Sequence, residues 1–165
     1  MKQILIMRHG DSYYHADDFN RPINELGEKS VKKSAKLIKK FKIDKVLCSP
    51  STRTLETLNI IKTEQAITIN TDIAITECLY KANKEDILNI VESQPDDIQS
   101  LLIVGHNPSL YDFYMLLAKE TINEHINKLN LSMPPACVII IKLPKTTSWS
   151  KLSLKSGIVH KIFMP

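Results

Sequence analysis

With 165 residues, 43% of them apolar, the chain is long enough to bury one sizeable core. Twenty-two Lys and Arg against eighteen Asp and Glu leave a formal charge of +4, and only 6% of residues are aromatic, so the balance lacks the footprint of a nucleic-acid binder. Three widely spaced cysteines, Cys48, Cys78 and Cys137, argue against a disulfide framework and a cysteine-built zinc site, and fit a small buried role in a reducing cytoplasm.

Residues 3–7 are a short apolar run rich in Ile and Leu, which predicts a strand buried on both faces and stopped by Gly10. It is too short for a signal-peptide core, and no uncharged apolar run reaches membrane-spanning length, so neither export nor membrane embedding is expected. From Gly27 to Phe41, Val31, Ala35, Ile38 and Phe41 recur at helical spacing among lysines. Lys29, Lys32, Lys33, Lys36, Lys39 and Lys40 give that helix either a solvated face or a dock for an acidic phosphoprotein.

"KVLCS" (45–49) predicts a second strand, followed by a helix with Ser49 as its cap, Pro50 in its first turn and Leu55, Leu58 and Ile61 along one face. Residues 66–75 look extended, 83–91 helical with Glu85 and Asp86 early, and "SLLIVGH" (100–106) is a third buried-type strand. Another helix is expected from Pro108, capped by Asn107; residues 119–130 suggest a helix end plus loop, and 136–143 and 157–163 are strands. This alternation predicts a single α/β domain over 1–165, a three-layer sandwich with a largely parallel central sheet and helices on both faces.

In such sheets ligands bind beyond the carboxyl ends of the strands, and three strand ends carry reactive groups. They are Arg8-His9-Gly10, "SPSTR" with Arg53, and "GHNP" with His106. Arginine forks and helix N-termini suit an anion, and a histidine can attack phosphorus to form a phosphohistidine, which makes His9 the candidate nucleophile. Gly10 and Gly105, two of only four glycines, adjoin the two histidines, where backbone freedom or close approach is expected.

"MRHG", "SPSTRTLET" and "VGHNP", in that order, resemble the histidine phosphatase superfamily. "RPINELG" and the "ECLYKANKEDILNIVESQPDD" stretch leading into "LLIVGHNP" look most like its SixA-type phosphohistidine phosphatase branch. The resemblance covers nearly the whole chain and weakens after residue 120. It implies a metal-independent, cofactor-free phosphatase in which His9 is phosphorylated while Arg8, Arg53 and His106 hold the phosphoryl group. It places Glu77 where many relatives carry a carboxyl that protonates a leaving alkoxide, although imidazole leaves without such help; otherwise Glu77 is a surface carboxylate at a strand end. Arg21 either reaches the phosphate from its loop or is a solvated arginine; Asp11, Asp17 and Asp18 are weaker candidates for the acid. The chain has too few residues between core elements for the large cap subdomain of bigger relatives, so an exposed site and a large substrate, a phosphorylated protein, are expected.

Other readings remain open at this level. "CSPSTRT" falls one residue short of the C-x5-R signature of cysteine phosphatases, with no glycine for a phosphate cradle. His9, Asp11 and His106 could serve a metal-dependent phosphoesterase, but Arg8 and Arg53 put positive charge where metal ions would sit. A small-molecule or phosphoserine phosphatase would use the same core residues, and a noncatalytic phosphoprotein-binding module would not need His9. His15, His125 and His160 lie away from the three motifs.

Overall fold

A computed structural model describes residues 1–119 and 133–165. The helix end and loop expected over 119–130 lie, apart from Lys119, outside the described residues. In chain order the elements are β1 (Gln3–Arg8), α1 (Glu25–Ile38), β2 (Lys45–Cys48), α2 (Thr52–Thr63), β3 (Asp72–Ile75), α3 (Lys84–Glu92), β4 (Ser100–Gly105), α4 (Ser109–Leu117), β5 (Val138–Lys142) and β6 (Ile158–Phe163). They build one sheet in the order β3-β2-β4-β1-β5-β6, parallel from β3 to β1, with β5 and β6 antiparallel.

β1 shows why the sheet sits in the middle. Ile4, Leu5, Ile6 and Met7 are all fully buried. Side chains alternate across a strand, so Ile4 and Ile6 pack with Ile87 and Val91 of α3 and Leu110 and Phe113 of α4. Leu5 and Met7 pack on the other face with Val31 and Ile38 of α1 and Leu58 and Ile61 of α2. Burying each such side chain contributes about 1.5–3 kcal/mol relative to exposure, which is why a continuous apolar run sits between two helical layers. Among the described residues no helix is long and apolar enough to cross a membrane.

Local chemistry sets the boundaries. α1 begins two residues before the predicted Gly27 because the Asn24 side chain accepts from the Gly27 N–H at 2.8 Å. α3 starts behind Asn83, whose side chain and that of Asp86 cap each other reciprocally. The extended segment expected over 66–75 contracts to Asp72–Ile75, because Thr68 and Thr71 close a turn and Ile69 is fully exposed.

Two expected helix caps are corrected. α2 starts at Thr52 with Ser51 before it, and α4 starts at Ser109 with Pro108 before it, so neither Ser49 nor Asn107 is a cap. The Asn107 amide donates instead to the Met133 carbonyl at 3.0 Å, and the Thr52 N–H is taken by the Phe19 carbonyl. The glycine expectation holds at one position only. A Cβ on Gly10 would press on Val31 Cγ2 at 2.8 Å, whereas one on Gly105 would make ordinary contact with Leu110 at 3.6 Å. Gly27 is tighter still, since a Cβ there would collide with the Asp11 backbone. Together Gly10 and Gly27 let the first turns of α1 close onto the loop behind His9.

Candidate active site

Strand order brings the predicted groups together. β2, β4 and β1 are neighbours, and their ends are in register, Cys48 opposite Val104 and Gly105 opposite Arg8. The next residues, Ser49, His106 and His9, therefore emerge side by side at strand spacings of about 4.8 Å. The His9 backbone is tied down on both sides, its N–H donating to Gly105 and its carbonyl accepting from Ala136.

The His9 side chain is 5% exposed. Its Nδ1 lies 2.7 Å from the Gly10 carbonyl oxygen, which can only accept, so Nδ1 carries the proton and Nε2 presents its lone pair. Nε2 accepts from Arg53 Nε at 3.2 Å. Burial, with the nearby His106, Arg53 and Arg8, pushes the His9 pKa down to about 3 against the opposing Gly10 hydrogen bond, so the ring is neutral at pH 7.

His106 stands with its ring centroid 5.2 Å from that of His9. Its Nε2 shares a 2.7 Å hydrogen bond with Ser49 Oγ, while Nδ1 is buried without a partner. Burial, aided by Arg53, lowers its pKa to about 4, although Asp18 opposes this. Arg8 donates from Nη1 to the Met133 carbonyl at 2.8 Å and keeps a buried, unpartnered Nε; burial lowers its pKa. Buried polar atoms are rarely left unpaired, so Arg8 Nε and His106 Nδ1 are free valences in the cluster around His9.

Arg53, 5% exposed in the first turn of α2, donates from Nη1 to the Asp18 carbonyl at 2.5 Å and from Nη2 to Asp18 Oδ2 at 3.1 Å. Arg21 is ion-paired through Nε with Asp18 Oδ1 at 3.2 Å, so the predicted loop arginine is held by a carboxylate. Tyr80 donates its hydroxyl to Asp18 Oδ2 at 3.0 Å and packs edge-on against His106 and Phe19. Burial would raise the Asp18 pKa, but the Tyr80 and Arg53 hydrogen bonds and the arginine charges hold it below the usual range. It is a carboxylate at neutral pH and no proton donor.

Glu77 is exposed, in a single 3₁₀ turn (Glu77–Leu79) beyond β3, and makes none of the cluster's hydrogen bonds. Burial pushes the Cys48 thiol up to about 12, as expected for a small buried hydrophobe, and Cys137 behaves alike. Cys78 departs from that expectation, because the 3₁₀ turn leaves it exposed. Among the described residues no three His, Cys, Asp or Glu side chains gather as a metal site would require.

Sequence reasoning brought out His9, Arg8, Arg53 and His106 but missed Ser49 as the partner of His106 and Asp18 as the partner of Arg53. The only local signal for Ser49 was its position one residue past a strand end, and Asp18 offered none beyond lying three residues before Arg21.

The sequence pattern described as the histidine phosphatase superfamily (branch 1) matches residues 4–102, more than half of the chain. That span includes Arg8, His9 and Arg53 and stops short of His106. An uncharacterised protein of Mycobacterium leprae is 24% identical over 168 residues, covering 96% of this chain and 99% of that one. A candidate phosphohistidine phosphatase SixA from Nakamurella multipartitia superposes with a TM-score of 0.82 at 20% identity, over 99% of this chain and 96% of its own. The protein histidine phosphatase SixA complexed with tungstate gives 0.76 at 20% identity, over 98% and 96%. These structures share the fold, a six-stranded α/β sheet without a large added domain. His9 stands neutral at a strand end beside the half-buried Arg8 and the buried Arg53, and the chain belongs to the histidine phosphatase superfamily, branch 1.

Proposed function

We propose that this phosphatase removes phosphate from phosphohistidine on a protein, through a phosphohistidine formed on His9 itself. The observation that carries the reading is the 2.7 Å bond from His9 Nδ1 to the Gly10 carbonyl, which leaves a neutral lone pair on Nε2, facing Arg53. In the first step Nε2 forms a bond to phosphorus as the bond to the substrate's imidazole nitrogen breaks. The leaving imidazole, protonated on its other nitrogen, departs neutral.

His9 now carries a phosphoryl group on Nε2 and a proton on Nδ1, so its ring is positive and its bond to Gly10 strengthens. In the second step water attacks phosphorus, the P–Nε2 bond breaks, and His9 returns to the neutral tautomer it began with. Arg8, Arg53 and His106 are donors for the charge that spreads over the phosphoryl oxygens. Neither step needs a carboxylic acid, which fits the exposed position of Glu77.

A protein substrate is supported by the lack of a cap subdomain and the half-buried Tyr80 and Phe19 beside the site. Three unpaired thiols support a reducing compartment, the cytoplasm. The test is phosphate release from a phosphohistidine protein, a phosphoserine peptide and an aryl phosphate, each with and without chelator. Turnover of the first, unaffected by chelation, with acid-labile and base-stable label on His9 is expected. Preference for the aryl phosphate or the phosphoserine peptide would move the assignment to phosphate esters. Binding without release would make the chain a recognition module.

A further inference from the structure

We infer that Asp18 positions Arg53 for phosphoryl transfer, holding the outer edge of the guanidinium so that its Nε edge faces His9; the inference rests on the roles given above to His9 and Arg53. A guanidinium has five N–H donors in one plane. In Arg53, Nε–H points at His9 Nε2, while the Asp18 carbonyl takes a hydrogen from Nη1 and the Asp18 carboxylate takes one from Nη2. The plane cannot turn without breaking two hydrogen bonds to one residue, of which the one to the carboxylate is charge-assisted.

Asp18 is itself held from two further sides. Tyr80 donates to Oδ2, from the residue after the 3₁₀ turn beyond β3, and Arg21 pairs with Oδ1, from the loop before α1. Arg53, which lies on α2, is thus clamped against two other segments through one carboxylate. The clamp also disperses charge: Arg8 feels repulsion from Arg53 and Arg21, and Asp18 neutralises part of that cluster without contacting Arg8. A phosphoryl group arriving at His9 would meet Arg53 already aimed, so little of its binding energy goes into orienting that side chain.

A competing role would have Asp18 occupy the anion's own seat, leaving when phosphate arrives. The two roles differ in measurable ways. Asp18→Ala, Arg53→Ala and their combination are compared on an aryl phosphate, with inhibition by inorganic phosphate as a second measurement. If Asp18 acts through Arg53, Asp18→Ala lowers kcat by roughly 10- to 100-fold, less than the roughly 100- to 1,000-fold loss from removing an oxyanion donor outright, and moves KM far less. In the Arg53→Ala background the same change then costs less than about twofold, because the residue it positions is gone. Tyr80→Phe is expected to give a smaller kcat loss that also vanishes in the Asp18→Ala background. Asp18→Asn, which keeps the shape and one acceptor, is expected to fall between wild type and Asp18→Ala and serves if the alanine variant does not fold.

Equal losses in the presence and absence of Arg53 would mean that Asp18 supports the loop alone, and would overturn the inference. Unchanged kcat with tighter inhibition by phosphate would overturn it in favour of the blocked seat. If Arg53→Ala is itself without effect, the roles assigned to the site fail first, and this inference with them.

Discussion

Ser49 Oγ and His106 Nε2 lie 2.7 Å apart, joining the ends of two adjacent parallel strands through one hydrogen bond. The bond occupies one nitrogen of a half-buried ring and leaves the other, Nδ1, as the only valence the imidazole can offer a ligand. A serine expected to cap a helix therefore works as the brace for the second histidine.

Ser49→Ala removes that brace and leaves Nε2 buried and unpaired, at a cost of about 1–3 kcal/mol in stability. The His106 ring gains freedom, and a fall of about tenfold in kcat is expected from lost orientation. Chemical denaturation and steady-state kinetics on one preparation check both effects. An unchanged kcat would show that Ser49 does not orient the ring.

Acid should destabilise the fold well before most carboxylates titrate. The two ring pKa values fall from 6.5 to about 3 for His9 and about 4 for His106, so between those limits the unfolded chain binds more protons than the folded one. Stability from these rings is complete above pH 6.5 and is lost as pH falls toward 4, with a slope on the order of 1 kcal/mol per pH unit for each ring. Denaturation midpoints at pH 7, 6 and 5 measure it, and His106→Asn should flatten the slope. A slope that appears only below about pH 5, where carboxylates titrate, would contradict the prediction.

The contact between α1 and the loop behind His9 predicts a contrast between two glycines. Gly27→Ala drives a methyl into the Asp11 backbone, and overpacking of that kind costs about 1–3 kcal/mol or more. Gly105→Ala meets Leu110 only at ordinary contact distance and should leave the melting temperature nearly unchanged. The comparison is a pair of thermal melts, and equal losses would refute it.

Glu77→Gln is expected to leave turnover of a phosphohistidine substrate within about threefold of wild type, since neutral imidazole departs without a carboxylic acid. A drop of two orders of magnitude would make Glu77 the general acid despite its exposed position. Comparison with a poor alkyl phosphate separates the two outcomes, because an alkoxide leaving group demands the proton.

Sequence alone determined the elements and the four groups that meet at the sheet edge. Short apolar runs bounded by helical periodicity mark buried strands, and the rule that ligands collect at strand carboxyl ends links Arg8, His9, Arg53 and His106. The helix over 83–91 was legible because Glu85 and Asp86 stand early in it, where a helix N-terminus favours acidic groups, and the structure adds the mutual cap of Asn83 and Asp86. The tertiary structure decided what depends on long-range placement. A run such as Val138–Lys142 has no local mark of direction, and only its pairing with β1 shows that it runs antiparallel. The caps moved because helix starts depend on which N–H groups other segments claim, as Phe19 claims that of Thr52. Ser49 meets His106 across 57 residues, and Asp18 meets Arg53 across 35, through strand order and loop path. Hydrogen bonds of that kind belong to the packed chain, since nothing in the spacing of the residues records them.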